Sequence, residues 1–252
     1  MTPGLRRWTF LVAGGGLGAL LVWGFVGLPG FGHYPGPYGD LLNSVAVGQR
    51  HATDVVTAIN FDYRGFDTLG EEFILFTAAT GVSIVLRELR RERERTAVDE
   101  AAGREAPATS DAVRMACLVL VGPTMLVGWN VVSHGQVNPG GGFQGGAIMA
   151  TAFVLVYLSG EFIALKRLSP VHLTDAVEAI GAGSFAALGV AALALGFPYL
   201  DNILPLGTSA GTVDSSGTIA LISFFVGIEV TAAFVLIVGE LLEQTLLVRG
   251  DR

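Results

Sequence analysis

Apolar residues fill six long stretches of this chain, and shorter polar segments separate them. Each stretch approaches the length of about 20 apolar residues that a helix needs to cross a bilayer. The pattern predicts an all-α, polytopic membrane protein with six transmembrane helices, two before a charged segment and four after it. The stretches cover residues 8–28, 68–86, 112–132, 145–165, 173–195 and 217–238.

The segment between the first two stretches follows a different pattern. Apolar residues recur at helical spacing from residue 41 to residue 59, but Arg50, His51 and Asp54 lie among them. This segment is too polar to span a membrane. An amphipathic helix that lies at the membrane interface suits it better.

A charged segment divides the chain after the second stretch. Arg and Glu alternate from residue 87 to residue 95, and a sequence rich in Ala, Gly, Pro and Thr follows. This order is typical of a helix end that continues into a flexible linker. We therefore expect a two-span region at residues 1–87, a cytoplasmic linker at residues 88–111 and a four-span domain at residues 112–252.

Composition and the positions of the basic residues indicate how the spans are oriented. The chain is 51% hydrophobic and 15% charged, whereas soluble domains carry roughly 25% charged residues. With a cytoplasmic N-terminus and alternating spans, 13 of the 15 Lys and Arg residues lie on the cytoplasmic side, and only Arg50 and Arg64 lie outside. Because basic residues favour the cytoplasmic side, we expect both termini in the cytoplasm and a multi-pass protein of the cell membrane.

Residues 138–146 are the least helix-like sequence near a span. Glycine costs about 1 kcal/mol relative to alanine inside a helix, and proline removes a backbone donor. Irregular backbone at membrane depth must be buried in protein or line a wet cavity. We therefore expect a packed turn or helix start at the outer face, where another helix approaches closely. The motif contains Pro139, Gly140, Gly141, Gly142, Phe143, Gly145 and Gly146.

Ionisable side chains within the apolar stretches are the candidates for chemistry. Glu229 lies near the middle of the sixth stretch. A carboxyl at that depth is protonated, hydrogen-bonded inside the protein or part of an ion path. Glu71 and Glu72 open the second stretch and follow Arg64 and Asp67, which makes a compact charged group at its outer end. The alternative for this group is an acidic first helical turn that suits the helix dipole.

Other polar residues have simpler interpretations. Asp175 and Glu178 share a helix face, where a solvated acidic helix terminus is favoured, and Glu240 and Glu243 are expected at the cytoplasmic interface. His134 is either structural or a proton shuttle, since histidine titrates near neutral pH. The sequence has a single cysteine, no metal-ligand spacing, no nucleotide-binding loop and no nucleophile triad, so neither a cofactor nor a metal is predicted.

Two stretches of the chain resemble one transport system. Residues 139–146, set between the first two of four spans, resemble the signature of the B subunit of Mrp-type multisubunit Na+/H+ antiporters, and this MnhB-like resemblance covers about residues 112–245. Residues 62–71 are similar to the C-terminal part of the large A subunit of those antiporters, and this region also occurs as a separate small protein in membrane-bound hydrogenases. The chain thus resembles a fusion of two neighbouring antiporter pieces.

The resemblance implies a membrane subunit of a complex that exchanges Na+ for protons, and a transporter subunit rather than an enzyme. The implied partners are other antiporter subunits, including ones akin to the proton-pumping subunits of respiratory complex I, together with Na+, H+ and the lipid bilayer, and no nucleic acid. Arg64 and Glu71 occupy functional positions of the family, so with Asp67 they would handle an ion at the outer side. Glu229 would handle one at mid-membrane, and Glu72 and His134 are further candidates.

Two alternatives stay open at this point. In the first, the chain is a membrane subunit of an ion-pumping hydrogenase or a related respiratory complex. In the second, it is a structural subunit whose carboxylates only pair with partner helices.

Overall fold

The computed structural model describes residues 3–28, 32, 36–93 and 109–249. Every regular element within these residues is a helix. The order is α1 (Pro3–Val26), α2 (Pro37–Arg50), α3 (Val55–Ala58), a π-helical turn (Ile59–Tyr63), α4 (Gly65–Arg93), α5 (Asp111–Ser133), α6 (Gly142–Leu168), α7 (Val171–Ala194) and α8 (Thr218–Arg249). The larger part of the predicted linker, residues 94–108, lies outside the described residues.

The six predicted membrane spans are confirmed. Among the described residues, six helices are long and apolar enough to cross a bilayer, and they coincide closely with the apolar stretches of the sequence. The cytoplasmic position of the two termini stays a prediction from the basic residues. The spans cover Arg7–Val26, Gly65–Leu86, Asp111–Ser133, Gly142–Gly160, Val171–Ala194 and Thr218–Glu243.

The chain forms two compact units, Met1–Leu41 and Leu42–Arg252. The first unit contains α1, a helix of 24 residues whose large apolar side chains, such as Trp8 and Trp23, are exposed. A helix satisfies its backbone hydrogen bonds internally, so an apolar surface of this kind suits contact with lipid.

The second unit is organised around α8. α4, α6 and α7 each pack along α8, and α5 packs on α6. Ile219, Ile222, Val226 and Val230 recur at helical spacing along α8, are fully buried and meet Phe185 of α7 in the main core. A helix that is apolar on all sides belongs at the centre of a bundle, and that is where α8 lies.

The segment predicted as an amphipathic helix, residues 41–59, is helical on both sides of a break between α2 and α3. His51 follows α2 with a left-handed φ of 52°, and Asp54 is the N-cap of α3. Tertiary contacts stabilise the break, because the backbone N–H groups of Thr53 and Asp54 donate to the carbonyl of Gln136 at 3.0 and 3.1 Å. The position of this segment at the membrane interface stays a prediction.

The glycine-rich motif turns the chain from α5 into α6. Gly140 and Gly141 have φ angles of 155° and 113°, which residues with a side chain rarely adopt. Gly146, one turn into α6, contacts α8 so closely that an added Cβ would lie 2.7 Å from the carbonyl oxygen of Gly227. The motif therefore makes both the sharp turn and the close approach of α6 to α8.

Candidate ion-path site

Glu229 lies at the centre of the bundle. Its position is about 16 Å along the axis of α8 from Thr218, at about 1.5 Å per residue, and none of its surface is exposed. Neither carboxyl oxygen has a hydrogen-bond partner among the described residues. An ionised carboxylate without a partner is strongly unfavourable in an apolar interior, so this group needs a proton or a cation.

Glu72 reaches the same region from α4. The face of α4 that is buried in the bundle carries small or polar residues at helical spacing, namely Thr68, Glu72, Ala79 and Ser83. The preceding residue, Glu71, is exposed, because successive helical residues point about 100° apart. Of the two adjacent glutamates, only Glu72 faces the interior.

The third carboxyl comes from α7. Thr174, Glu178, Gly181 and Phe185 belong to its buried face. Gly181 contacts α8 directly, since a Cβ added there would lie 2.5 Å from the Cβ of Glu229. The absence of a side chain at Gly181 therefore makes room for Glu229. The expectation that Glu178 is solvated is wrong, because only 2% of this residue is exposed.

We call Glu72, Glu178 and Glu229 the carboxyl cluster. The carboxyls of Glu72 and Glu229 are close enough to share a hydrogen bond when one of them carries a proton, and Glu178 is close enough to repel a charge on Glu229. Within the described part of the chain, no three His, Cys, Asp or Glu side chains are arranged to hold a metal ion. Glu229 is the member of the cluster on which both other carboxyls act.

The predicted outer residues are exposed, whereas the members of this cluster are buried. Arg64 pairs with Asp67 through Nη2 and Oδ2, and their side chains are 58% and 51% exposed. Glu71 is exposed as well. An exposed ion pair contributes at most about 1 kcal/mol. A role for these three residues in an ion path stays a prediction.

His134 ends α5 as its C-cap residue. Its Nδ1 lies 2.9 Å from the carbonyl oxygen of Asn130 and 3.1 Å from Oγ of Ser133. These local contacts give the histidine a structural role at the end of the helix, and its proton role stays a prediction.

The glycine-rich motif acts on the site through packing. A Cβ added at Gly142 would lie 2.7 Å from the Cβ of Val226 on α8. Phe143 makes an edge-to-face contact with Phe234 of α8 at a centroid distance of 6.3 Å, and Pro139 is exposed ahead of the turn. The motif has no ionisable side chain, so its effect on Glu229 runs through the position of α8.

A second set of charges lies where α2, the π-helical turn and the loop before α8 meet. Nε of Arg50 is 2.8 Å from Oδ2 of Asp62, and Nη2 of Arg50 is 3.8 Å from Oδ1 of Asp201. We call these three residues the outer charged group, after the predicted side of the membrane. Burial raises the pKa of the Asp62 carboxyl, and the charge of Arg50 opposes this rise. We did not predict this group from the sequence. Its one indication there is Arg50, a charged residue within an apolar pattern of helical spacing.

A third set of polar residues lies at the opposite end of the bundle. Glu240 and Glu243 of α8 are 3% and 5% exposed, so they are buried in the bundle rather than solvated at an interface. Nζ of Lys166, near the end of α6, lies 3.0 Å from Oε1 of Glu243. These residues line a small cavity between α6, α7 and α8.

Comparison with known families matches the second half of the chain. A family model described as a domain related to the MnhB subunit of Na+/H+ antiporters matches residues 112–236. The match begins in α5 and ends in α8, so it includes Glu178 and Glu229. Glu72 lies before it.

Two relatives align with much of the chain. An uncharacterised protein of Methanocaldococcus jannaschii is 28% identical over 221 residues, which cover 77% of this chain and 81% of the relative. A probable A/B subunit of a K+/H+ antiporter from Rhizobium meliloti is 29% identical over 168 residues, which cover 60% of this chain. The aligned part is 16% of that longer protein.

Two solved membrane complexes contain chains of similar fold. A chain of the membrane-bound sulfane sulfur reductase, an archaeal respiratory membrane complex, has a TM-score of 0.69 at 28% identity, with 95% of this chain and 99% of that chain covered. A chain of the Mrp complex from a Dietzia species has a TM-score of 0.68 at 20% identity, with 97% of this chain and 26% of that chain covered. The second likeness shows the fold alone.

The fold and the comparisons agree on the class of protein. The chain of the sulfane sulfur reductase is part of a larger membrane complex, which supports the expectation of partner subunits. Six apolar helices and the matching domain make this a multi-pass protein of the cell membrane, and the matching family is one of antiporter subunits. Residues 112–236 of this chain therefore match a domain related to the MnhB subunit of Na+/H+ antiporters.

Proposed function

We propose that this chain is a membrane subunit of a multisubunit antiporter for protons and a monovalent cation, and that the carboxyl cluster is part of the ion path. One observation carries the proposal: Glu229 is fully buried, and the ionisable groups that act on it are the carboxyls of Glu72 and Glu178. The MnhB-related domain that contains Glu229 supports Na+ as the cation.

A proton and a monovalent cation would compete for the same negatively charged site. Two adjacent carboxyls, here Glu72 and Glu229, cannot both stay ionised in a medium of low dielectric without a compensating positive charge. A proton compensates them through a shared hydrogen bond, and a monovalent cation compensates them by its charge. Each ion excludes the other, and this exclusion is the requirement for exchange.

We also propose that this one chain joins a two-span region and a four-span domain through a linker. Residues 1–87 would supply α4 with Glu72, residues 88–111 would be the cytoplasmic linker, and residues 112–252 would supply Glu178 and Glu229. The likeness to one chain of the Mrp complex extends over 97% of this chain, which supports the joining of the two regions. The carboxyl cluster would then depend on both of them.

The test is Glu229→Gln in the assembled complex. The amide keeps the volume of the side chain but neither titrates nor carries a charge, so we expect cation-dependent proton movement in everted vesicles to fall by about 100-fold or more. Asp214→Asn, at an exposed loop carboxylate, is the control and should transport normally. Full antiport by an assembled Glu229→Gln complex would refute the ion-path role.

A second candidate function is a membrane subunit of an ion-pumping respiratory complex. The observation that favours it is sequence identity, because this chain is 28% identical to the chain of the sulfane sulfur reductase complex and 20% identical to the chain of the Mrp complex. Purification of the native complex separates the two functions. Iron–sulfur absorbance and redox subunits would support the respiratory complex, whereas antiporter subunits without a redox chromophore would support the antiporter.

A further inference from the structure

Buried polar residues of α7 and α8 also lie beyond the carboxyl cluster, toward the opposite end of the bundle. Thr174 is one turn from Glu178 on the buried face of α7, about 6 Å along the helix axis. It lines the cavity at the end of the bundle that carries Lys166, together with Glu240 and Glu243 of α8. The cavity volume is about 30 Å³, which is room for about one or two water molecules.

The carboxyls of α8 share one face of the helix with this cavity. At 3.6 residues per turn, Glu240 and Glu243 project within about 40° of the direction of Glu229. They lie about 16 and 21 Å from it along the axis. All three residues are at most 5% exposed. The three carboxyls therefore share one buried face of α8, and the apolar residues Ala233 and Leu236 lie between Glu229 and Glu240 on that face. Glu240 and Glu243 are at the end that the basic residues assign to the cytoplasm.

A lysine closes the mouth of the cavity. Nζ of Lys166 is 3.0 Å from Oε1 of Glu243 and 5.7 Å from the centre of the Phe162 ring. The two partners differ in exposure, since 52% of the Lys166 side chain but only 7% of the Glu243 side chain is exposed. The ammonium group can therefore move into water on its flexible stem, while the carboxylate stays buried.

We propose that Lys166 is a tethered competitor for the transported cation at Glu243. When no cation is bound, the ammonium neutralises the carboxylate and closes the cavity. A monovalent cation that arrives from the cytoplasm takes the place of the ammonium, and the cavity at Glu240 and Thr174 leads it toward Glu178. This inference rests on the proposed function, because a cation enters here only if the carboxyl cluster conducts it.

The experiment measures cation-driven proton movement in everted vesicles that contain the whole complex, where the added cation meets the cytoplasmic face. In Lys166→Gln the competitor is gone, so the half-saturating Na+ concentration should fall about threefold to fivefold, the size expected of a half-exposed ion pair. Glu243→Gln should raise the half-saturating concentration by a similar factor.

Arg167→Gln is the matched control, because it removes a neighbouring exposed cation of the same helix end. If Lys166→Gln and Arg167→Gln change the half-saturating concentration equally, or neither changes it, the competitor role is refuted. Glu229→Gln in the same assay separates the two proposals. An inactive Glu229→Gln with an unshifted Lys166→Gln refutes only the role of Lys166, whereas an active Glu229→Gln refutes the ion path itself.

Discussion

The outer charged group and the carboxyl cluster both join three ionisable residues from different elements, but they differ in charge balance. In the outer charged group, the guanidinium of Arg50 lies between Asp62 and Asp201, at 2.8 and 3.8 Å. In the carboxyl cluster, the ionisable groups that act on Glu229 are two further carboxyls. The first group carries its own counter-charge, and Glu229 has to obtain one from outside.

If the proposed function holds, this difference separates a structural role from a transport role. A buried acid whose cationic partner is itself largely buried, as Arg50 is at 27% exposure, holds elements together. Lys166 beside Glu243 differs, because 52% of its side chain is exposed. A buried acid beside other acids binds a proton or a small cation, and its occupancy changes with the concentration of both. Aspartate and glutamate would then serve different purposes in the two regions.

The largest expected effect that tests this comparison is the difference in antiport activity between the Glu72→Gln and Glu71→Gln variants. Glu72→Gln removes a member of the carboxyl cluster and should reduce antiport by about 100-fold. Glu71→Gln removes an exposed carboxylate one residue away and should leave most of the activity. Both variants are measured in everted vesicles after assembly has been verified on native gels. Equal losses would show that the buried position of Glu72 has no special importance.

An intermediate effect is expected where α7 contacts Glu229. Gly181→Ala places a Cβ 2.5 Å from the Cβ of Glu229, and overpacking of this kind costs about 1–3 kcal/mol. The melting temperature of the purified complex and its transport rate should both fall. Gly183→Ala is the control on the same helix, since a Cβ there meets nothing within 4 Å. An unchanged Gly181→Ala complex would show that the α7–α8 contact is looser than described.

The smallest effect is expected in the outer charged group. Burial raises the pKa of Asp62 in the folded protein above its ordinary value of about 3.8, so between these two values the folded state holds a proton that the unfolded state releases. Stability contributed by this proton is lost as the pH rises through that window. Asp62→Asn has no such proton, so its melting temperature relative to the parent should rise with pH, and antiport at neutral pH should persist. Loss of antiport in Asp62→Asn would place the outer charged group on the ion path.

Much of the fold was predictable because membrane spans leave a strong local signal. A helix in lipid needs a long apolar run, and the sequence at residues 217–238 indicates α8 as clearly as the structure does. The broken helix at residues 51–54 was not predictable, since its partner, the carbonyl of Gln136, lies far away in the chain. Periodicity alone favoured a continuous helix there.

The candidate site was predictable only in part. Glu229 is conspicuous because a carboxyl in the middle of an apolar run has few explanations. Glu178 looked like part of a solvated helix terminus, and its burial depends on how deeply α7 packs against α8. The choice between Glu71 and Glu72 depends on a rotation of about 100°, which the apolar pattern of α4 does not specify.

The sequence by itself determined the class of the protein: six apolar spans, the family motif at residues 139–146 and one conspicuous carboxyl at Glu229. Only the tertiary structure decided which other charges meet that carboxyl. Helix packing brings together Glu72, Glu178 and Glu229 from α4, α7 and α8, and it separates them from the exposed Arg64, Asp67 and Glu71. The physical reason is that hydrophobicity along a chain is a local property, whereas the counter-charge of a buried acid depends on the faces that its neighbouring helices present.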